Sequence, residues 1–157
     1  MQKFPVRVLA HNIRSLWNVG AFFRTADAFG VEHIYLTGYT PAPPRREIST
    51  TALGAETWIP WSQEVDSLKV IESCKKEGFV IAALEKTNGS TLITKFVQTK
   101  PLLLIVGHEV TGVPLEILEL SDVILEIPMQ GKKESLNVSV ALGVGLYALK
   151  RNTCDAT

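Results

Sequence analysis

The sequence lacks most of the features that would place it in a specialised class of protein. Its 157 residues include two cysteines, Cys74 and Cys154, which are too few for a disulfide framework or a zinc site and fit a reducing cytosol. The longest apolar-rich stretch, residues 136–149, is shorter than the ~20 residues that a membrane-spanning helix needs. The N-terminal residues show no secretory signal pattern. We therefore expect a cytoplasmic protein of one domain, without a metal site and without a membrane partner.

The chain also lacks net charge, because 16 basic residues balance 16 acidic ones. This balance argues against a generally cationic nucleic-acid-binding protein. The arginines are nevertheless unevenly distributed, since five of the six fall within the first 46 residues: Arg7, Arg14, Arg24, Arg45 and Arg46. Arginine suits bidentate phosphate contact, so the N-terminal half is a candidate anion- or nucleic-acid-binding surface. For any one of these positions, an ordinary solvated arginine remains the simpler interpretation.

Short runs of Val, Ile and Leu recur along the chain and predict buried strands. The run Leu102–Val106 has no polar alternation, which is typical of a parallel strand covered on both faces by helices. This alternation of strands and helices predicts an α/β fold with a mostly parallel sheet flanked by helices. The predicted strands are Val6–Ala10, His33–Thr37, Val80–Leu84, Leu102–Val106 and Val123–Ile127, and the predicted helices are Val19–Phe29, Val65–Glu77, Leu115–Leu120 and Leu136–Arg151.

The last predicted helix has almost no polar face. From Leu136 to Leu149 the residues are apolar or small except Asn137 and Ser139. A helix that is apolar all round must be covered on more than one side. It is therefore predicted either to lie centrally within a three-layer sandwich or to be covered by another subunit.

The segment after the first strand is the first that could have a chemical role. Asn18 is predicted to cap the helix that follows, and Gly20 would permit close backbone approach where the first N–H groups point toward an anion. Arg24 and Asp27 fall on one face of this helix at an i, i+3 spacing, and a local ion pair is the simplest explanation of that spacing.

Two later segments also follow predicted strands. Gly107 and Gly112 bracket Glu109 at the carboxyl end of a buried strand, where ligands bind in open α/β sheets. The turn is neither a Walker loop nor a full dinucleotide fingerprint. Further on, a polar loop leads to Ser135, the predicted N-cap of the last helix, with Asn137 in its first turn. No Ser-His-Asp triad or glycosidase-type carboxylate pair can be recognised.

In this order and spacing, the three segments resemble the signature motifs of the SPOUT class of RNA methyltransferases, and most closely the SpoU/TrmH-type ribose 2′-O-methyltransferases. Each motif alone is modest, but the ordered set is specific and covers nearly the whole chain. The matching strings are Asn18-Val19-Gly20 with Arg24-Thr25-Ala26-Asp27, Gly107-x-Glu109 with Gly112, Ile127-Pro128-Met129 with Ser135-Leu136-Asn137-Val138-Ser139, and Ala52-Leu53-Gly54-Ala55.

The resemblance implies a single SPOUT domain over residues 1–157, without an RNA-binding extension and with a C-terminal deep trefoil knot. It also implies S-adenosylmethionine as cofactor and a homodimer, in which the apolar C-terminal helix would lie at the interface. The implied reaction is methylation of a ribose 2′-hydroxyl in RNA, with tRNA favoured over rRNA.

The resemblance assigns roles to individual residues. Arg24 would contact the RNA phosphate, and because a guanidinium is essentially always protonated, stabilising a developing alkoxide is physically easier for it than acting as a base. The implied catalytic residues are Arg24, Asn18, Glu109, Ser135 and Asn137. The implied cofactor-binding residues are Leu84, Gly107, Ile127, Met129, Ser135 and Leu136. Arg7, Arg14, Arg45 and Arg46 are candidate RNA contacts because they cluster in the sequence.

The chain departs from the family pattern at Leu16, where the family often has proline, and at His108, where it often has asparagine. The implied catalytic positions are intact, which favours an enzyme. A catalytically inactive RNA-binding module of the same fold remains an alternative, as does a small nucleotide- or flavin-binding α/β protein.

Overall fold

A computed structural model describes residues 4–154 and shows one seven-stranded sheet in which every strand pairing is parallel. The strand order is β3-β2-β1-β6-β4-β7-β5. The predicted α/β fold with a parallel sheet flanked by helices is therefore confirmed. The strands are β1 (Val6–His11), β2 (His33–Thr37), β3 (Trp61–Glu64), β4 (Val80–Leu84), β5 (Thr91–Leu92), β6 (Leu102–Val106) and β7 (Val123–Glu126).

The two strands that the sequence did not predict are the edge strands β3 and β5. Trp61-Ser62-Gln63-Glu64 has one large apolar residue, and β5 contains only two residues. An edge strand is paired on one side and needs little apolar surface, so an apolar-run criterion misses it.

Five α-helices connect the strands. They are α1 (Leu16–Phe29), α2 (Arg46–Ala52), α3 (Ser67–Lys76), α4 (Leu115–Leu120) and α5 (Val138–Cys154), and two short 3₁₀ turns cover Ala55–Thr57 and Ile93–Lys95. Helix α2 was not predicted, because its sequence REISTTA is short and lacks an apolar stripe. Gly20 in α1 does allow a close approach, but to α2, since a Cβ there would overlap Thr51 Oγ1 and the Ile48 carbonyl.

Two of the predicted N-caps are wrong by a few residues. Helix α1 begins at Leu16, and the Ser15 hydroxyl accepts a 3.2 Å bond from the Asn18 backbone N–H, so Asn18 lies inside the helix. Helix α5 begins at Val138, and the Asn137 side chain accepts from the Ser139 backbone at 2.9 Å, a capping bond that Ser135 was expected to make.

Neighbouring residues of the central strands point to opposite faces and fill two separate cores. Val8 and Leu104 pack with α1, α2 and α5, whereas Leu9 and Leu103 pack with α3 and α4. Both faces of β6 are thus covered, as its unbroken apolar run predicts. Among the described residues, no helix has the length and apolarity needed to cross a membrane.

Helix α5 is an outer helix with two apolar faces. Leu142, Leu146 and Leu149 are fully buried against the sheet and α1, whereas Val140 is 50% exposed and Tyr147 59% exposed. The interpretation of α5 as the centre of a three-layer sandwich is wrong, because one apolar face remains uncovered in the single chain.

Candidate active site

A cavity of about 210 Å³ opens at the carboxyl ends of β4, β6 and β7. The structure brings to its wall all six residues that the sequence assigned to cofactor binding: Leu84, Gly107, Ile127, Met129, Ser135 and Leu136. Of the implied catalytic residues, Glu109 and Ser135 also line it, whereas Arg24, Asn18 and Asn137 do not. The location matches the general rule that open α/β sheets bind ligands beyond the carboxyl ends of their strands.

The loop after β6 forms one side of the cavity and is packed too tightly for side chains at two positions. A Cβ on Gly107 would overlap the carbonyl of Gly112, and Gly112 itself has φ +72°. His108 stabilises the same turn, since its Nδ1 accepts from the backbone N–H groups of Val110 at 3.0 Å and Thr111 at 3.1 Å. These bonds place the proton of a neutral His108 on Nε2.

Glu85, which the sequence reasoning missed, connects the loop after β4 to the loop after β6 and to strand β7. Its Oε2 accepts from the Val113 backbone N–H at 3.0 Å, and its own backbone N–H donates to Leu125 O at 3.0 Å. A Cβ on Gly112 would overlap this carboxylate. The available signal was a charged residue directly after a buried strand, where the carboxyl edge of the sheet is expected.

Glu109 fixes the loop between β1 and α1. One carboxylate oxygen accepts from the backbone N–H groups of Arg14 and Ser15, both at 3.0 Å, and from Asn18 Nδ2 at 3.4 Å. Burial alone would raise the pKa of the Glu109 carboxyl, but the hydrogen bonds from Ser15, Arg14 and Asn18 outweigh it and hold the pKa below its usual value. Glu109 is therefore ionised at neutral pH.

Asn18 extends this network to the last helix. Its Oδ1 accepts from Asn137 Nδ2 at 3.4 Å, and Asn137 Oδ1 accepts from the Ser139 hydroxyl at 2.6 Å. Residues from all three sequence segments, Glu109, Asn18 and Asn137, are thus joined in one hydrogen-bond chain.

Arg24 lies apart from the cavity, on the exposed face of α1. Among residues 4–154, no ion pair involves it, so the expected pair with Asp27 does not form. Asp27 instead accepts a 2.7 Å bond from Trp58 Nε1. In the described chain the guanidinium of Arg24 remains available for an external anion.

The four arginines predicted to contact RNA separate into two groups. Arg14 and Arg45 line a second, shallower groove, and Arg46 is exposed beside them at the start of α2. Arg7 lies at the amino ends of the strands, where its guanidinium binds Glu32 at 2.7 Å and Glu77 at 3.0 Å. This placement argues against RNA contact by Arg7, because two carboxylates already occupy its donors.

The parallel sheet and the cavity at the carboxyl ends of its strands define an open α/β protein with a small-molecule site. Among residues 4–154, no cluster of three or more His, Cys, Asp or Glu side chains could hold a metal ion. A family model described as the SpoU rRNA Methylase family matches residues 5–147. The chain belongs to this family.

Relatives with assigned activities cover most of the chain. A tRNA (guanosine(18)-2′-O)-methyltransferase from Aquifex aeolicus is 36% identical over 146 residues, which are 92% of this chain and 68% of that protein. The protein of the same name from Escherichia coli K12 is 32% identical over 139 residues, 88% of this chain and 60% of that protein. The crystal structure of an AdoMet-bound rRNA methyltransferase from Sinorhizobium meliloti superposes with a TM-score of 0.89 at 28% identity, over 96% of this chain and 57% of that one. The chain thus spans roughly three fifths of the length of several relatives that it matches.

Proposed function

We propose that this protein transfers a methyl group from S-adenosylmethionine to a ribose 2′-hydroxyl in RNA, with tRNA the favoured substrate. The observation that carries the proposal is the hydrogen-bond chain Glu109–Asn18–Asn137 beside the cavity, because it joins all three motifs of the family. The names of the Aquifex and Escherichia relatives support tRNA. The name of the Sinorhizobium structure supports S-adenosylmethionine and keeps rRNA as the second candidate.

The cavity suits the proposed cofactor in its charge and in its apolar surface. Four glutamates line it, Glu85, Glu109, Glu126 and Glu134, against the single lysine Lys86. A negative wall suits a sulfonium cation. The apolar side chains of Leu84, Ile127 and Leu136 offer surface for an adenine ring.

S-Adenosylmethionine supplies an activated methyl group when it is bound. The protein must align the acceptor oxygen with that group, so that the methyl–oxygen bond would form as the methyl–sulfur bond breaks and a neutral thioether leaves. It must also stabilise the charge that develops on the oxygen as the hydroxyl proton passes to solvent. The low pKa of Glu109 and the backbone donors on its carboxylate make it a positioning residue for the loop, poorly suited to accept a proton at neutral pH. Arg24 would bind the RNA phosphate and stabilise the alkoxide as a permanent cation.

The position of Arg24 supports a homodimer through the apolar face of α5. Val140, Val144 and Tyr147 form an exposed stripe at helical spacing, and the adjacent helix α1 carries Arg24 on its exposed side. Because α1 packs on α5, a second copy seated on this stripe would lie against the helix pair that carries Arg24, which does not line the cavity of its own chain. Desolvating the stripe gives such an interface its driving force.

The resemblance further leads us to infer a deep trefoil knot in the C-terminal part of this single domain, and a cytoplasmic site of action on cellular RNA. Strand β7 pairs with both β4 and β5, and α5, which follows β7 in the chain, packs on α1. This arrangement is compatible with threading of the last segment. Mechanical unfolding by pulling on both ends of the chain tests for the knot. A knot that tightens should make the fully stretched chain shorter, whereas the full contour length of 157 residues would exclude a knot.

The function is tested by incubating the protein with methyl-tritiated S-adenosylmethionine and with unmodified tRNA or rRNA in parallel. Labelled 2′-O-methylnucleosides, identified by mass spectrometry after digestion, are the expected product. Label on a base, or no transfer to either RNA, would contradict the proposal. If calorimetry also shows no cofactor binding by the folded protein, the result favours the inactive RNA-binding module instead.

A further inference from the structure

The second groove lies beside the cavity and has a different chemical character. It has a volume of about 490 Å³ and is lined by Ile13, Arg14, Leu16, Tyr39, Pro41 and Arg45. No carboxylate is among these residues, so two cations face a groove with an aromatic ring and a proline. The Tyr39 side chain is 59% exposed. An anion that also carries a flat apolar surface complements such a lining.

Two contacts connect this groove to the cavity. The Tyr39 ring meets His108, which lines the cavity, with ring centroids 6.5 Å apart and planes nearly perpendicular. Arg14 is one of the residues that line the groove, and its backbone N–H donates to Glu109 at 3.0 Å. A molecule in the groove is therefore a direct neighbour of whatever occupies the cavity.

The two walls of the groove are held together by hydrogen bonds at its base. Asn12 Oδ1 accepts from the Tyr39 backbone N–H at 3.1 Å, and the Ile13 backbone N–H donates to Thr40 Oγ1 at 3.0 Å. Thr40 is fully buried, and its hydroxyl in turn donates to Ala10 O at 3.0 Å. Because these bonds fix both walls relative to the sheet, the groove is preorganised and loses little entropy on binding.

We propose that this groove binds the acceptor nucleotide of the RNA, with its base stacked on Tyr39 and its phosphates held by Arg14 and Arg45. The proposal rests on the proposed function, because it identifies where the substrate of that reaction lies. Stacking on an aromatic ring requires an unpaired base, so the acceptor is a nucleotide in a single-stranded loop or one turned out of a helix. Tyr39 acts here as a substrate-binding residue that no motif of the family includes.

The test compares Tyr39→Ala with Tyr39→Phe, using fluorescein-labelled tRNA and anisotropy. We expect Tyr39→Ala to weaken RNA binding by roughly 5- to 150-fold, the effect of removing one base stack, and Tyr39→Phe to bind like the wild type because it keeps the ring. Calorimetry with S-adenosylmethionine should give the same affinity for all three proteins. Wild-type RNA affinity in Tyr39→Ala, or an equally large decrease in Tyr39→Phe, would overturn the proposal.

A second pair of variants tests the phosphate contacts. Arg14→Ala and Arg45→Ala should each lower the slope of log affinity against log salt by about 0.7 for every phosphate that the arginine neutralises. Arg14→Ala keeps the backbone N–H that donates to Glu109. Lys69→Ala on α3 is the control, because it removes one exposed charge on the other face of the sheet. An unchanged slope in both arginine variants would refute the proposal that Arg14 and Arg45 bind RNA phosphates in the groove. If the wild type binds tRNA through these residues but transfers no methyl group, the proposed function is wrong, whereas the proposal that the groove binds an RNA nucleotide is supported.

Discussion

Replacing Glu109 by glutamine tests whether one carboxylate organises the site. The amide keeps the size of the side chain, and its oxygen can take the place of Oε1, which accepts from Arg14, Ser15 and Asn18. It removes the negative charge, however, and puts an NH₂ group where Oε2 accepts from the Arg14 backbone N–H at 3.1 Å. Hydrogen bonds to a charged acceptor contribute about 1.5–3 kcal/mol each, and partial solvent exposure reduces this here. We therefore expect the free energy of unfolding to fall by about 1–2 kcal/mol at pH 7, a decrease in Tm of about 2–8 °C.

The pH dependence of this difference separates charge from packing. The folded-state pKa of Glu109 lies below the ordinary value of 4.5, so its stabilisation is fully present above that value and disappears as the pH falls through the folded pKa. The gap between wild type and Glu109→Gln should then narrow in acid, because glutamine does not titrate. Denaturant unfolding from pH 7 down to the acid limit of the fold measures it.

Glu119→Gln is the matched control, since Glu119 is an exposed glutamate on α4. It should unfold like the wild type at every pH. Equal stability of Glu109→Gln and the wild type at pH 7, or a gap that does not change in acid, would refute the assignment of Glu109 as an ionised positioning residue.

Three further outcomes follow from the packing. Gly107→Ala should weaken S-adenosylmethionine binding at least about tenfold by calorimetry, because the added methyl group has no space in the loop, whereas Gly131→Ala meets no atoms and should bind normally. Val144→Glu should give monomers in sedimentation equilibrium, because it places a charge in the exposed stripe of α5. Val97 is also exposed but lies outside α5, so Val97→Glu should leave the assembly unchanged. Arg7→Ala should lower the midpoint of denaturant unfolding, because it removes two carboxylate bonds and the packing on an aromatic ring, while tRNA affinity stays constant. Reduced RNA affinity in the folded variant would contradict its structural role.

The buried strands could be predicted from the sequence because their apolar runs report burial on two faces. Strand β6 is the clearest example, since each of its five residues is buried. The edge strand β3 gives no such signal, because it is paired on one side and carries mostly polar side chains. Helix ends were predicted to within a few residues, but Ser15 and Asn137 were missed as caps because capping depends on backbone geometry as well as on residue type.

The members of the site were predictable from the motifs, whereas their separation in space was not. The cavity residues follow three strand ends and meet because parallel strands end at one edge. Arg7 and Arg14 look equivalent in the sequence, yet they lie at opposite ends of the strands. Arg7 is near the amino end of β1, and Arg14 follows its carboxyl end. Glu85 and Tyr39 were missed because their roles depend on contacts with loops that are distant in sequence.

The hydrogen-bond chain from Glu109 through Asn18 to Asn137 also joins segments of the chain that are synthesised at different times. Asn18 is synthesised 91 residues before Glu109 and 119 residues before Asn137, so the early segment must wait for both partners. A nascent chain that has not yet delivered Asn137 lacks the final link and the Ser135–Leu136 wall of the cavity. The wall of the cavity is therefore complete only after the segment that contains Ser135, Leu136 and Asn137 has been synthesised.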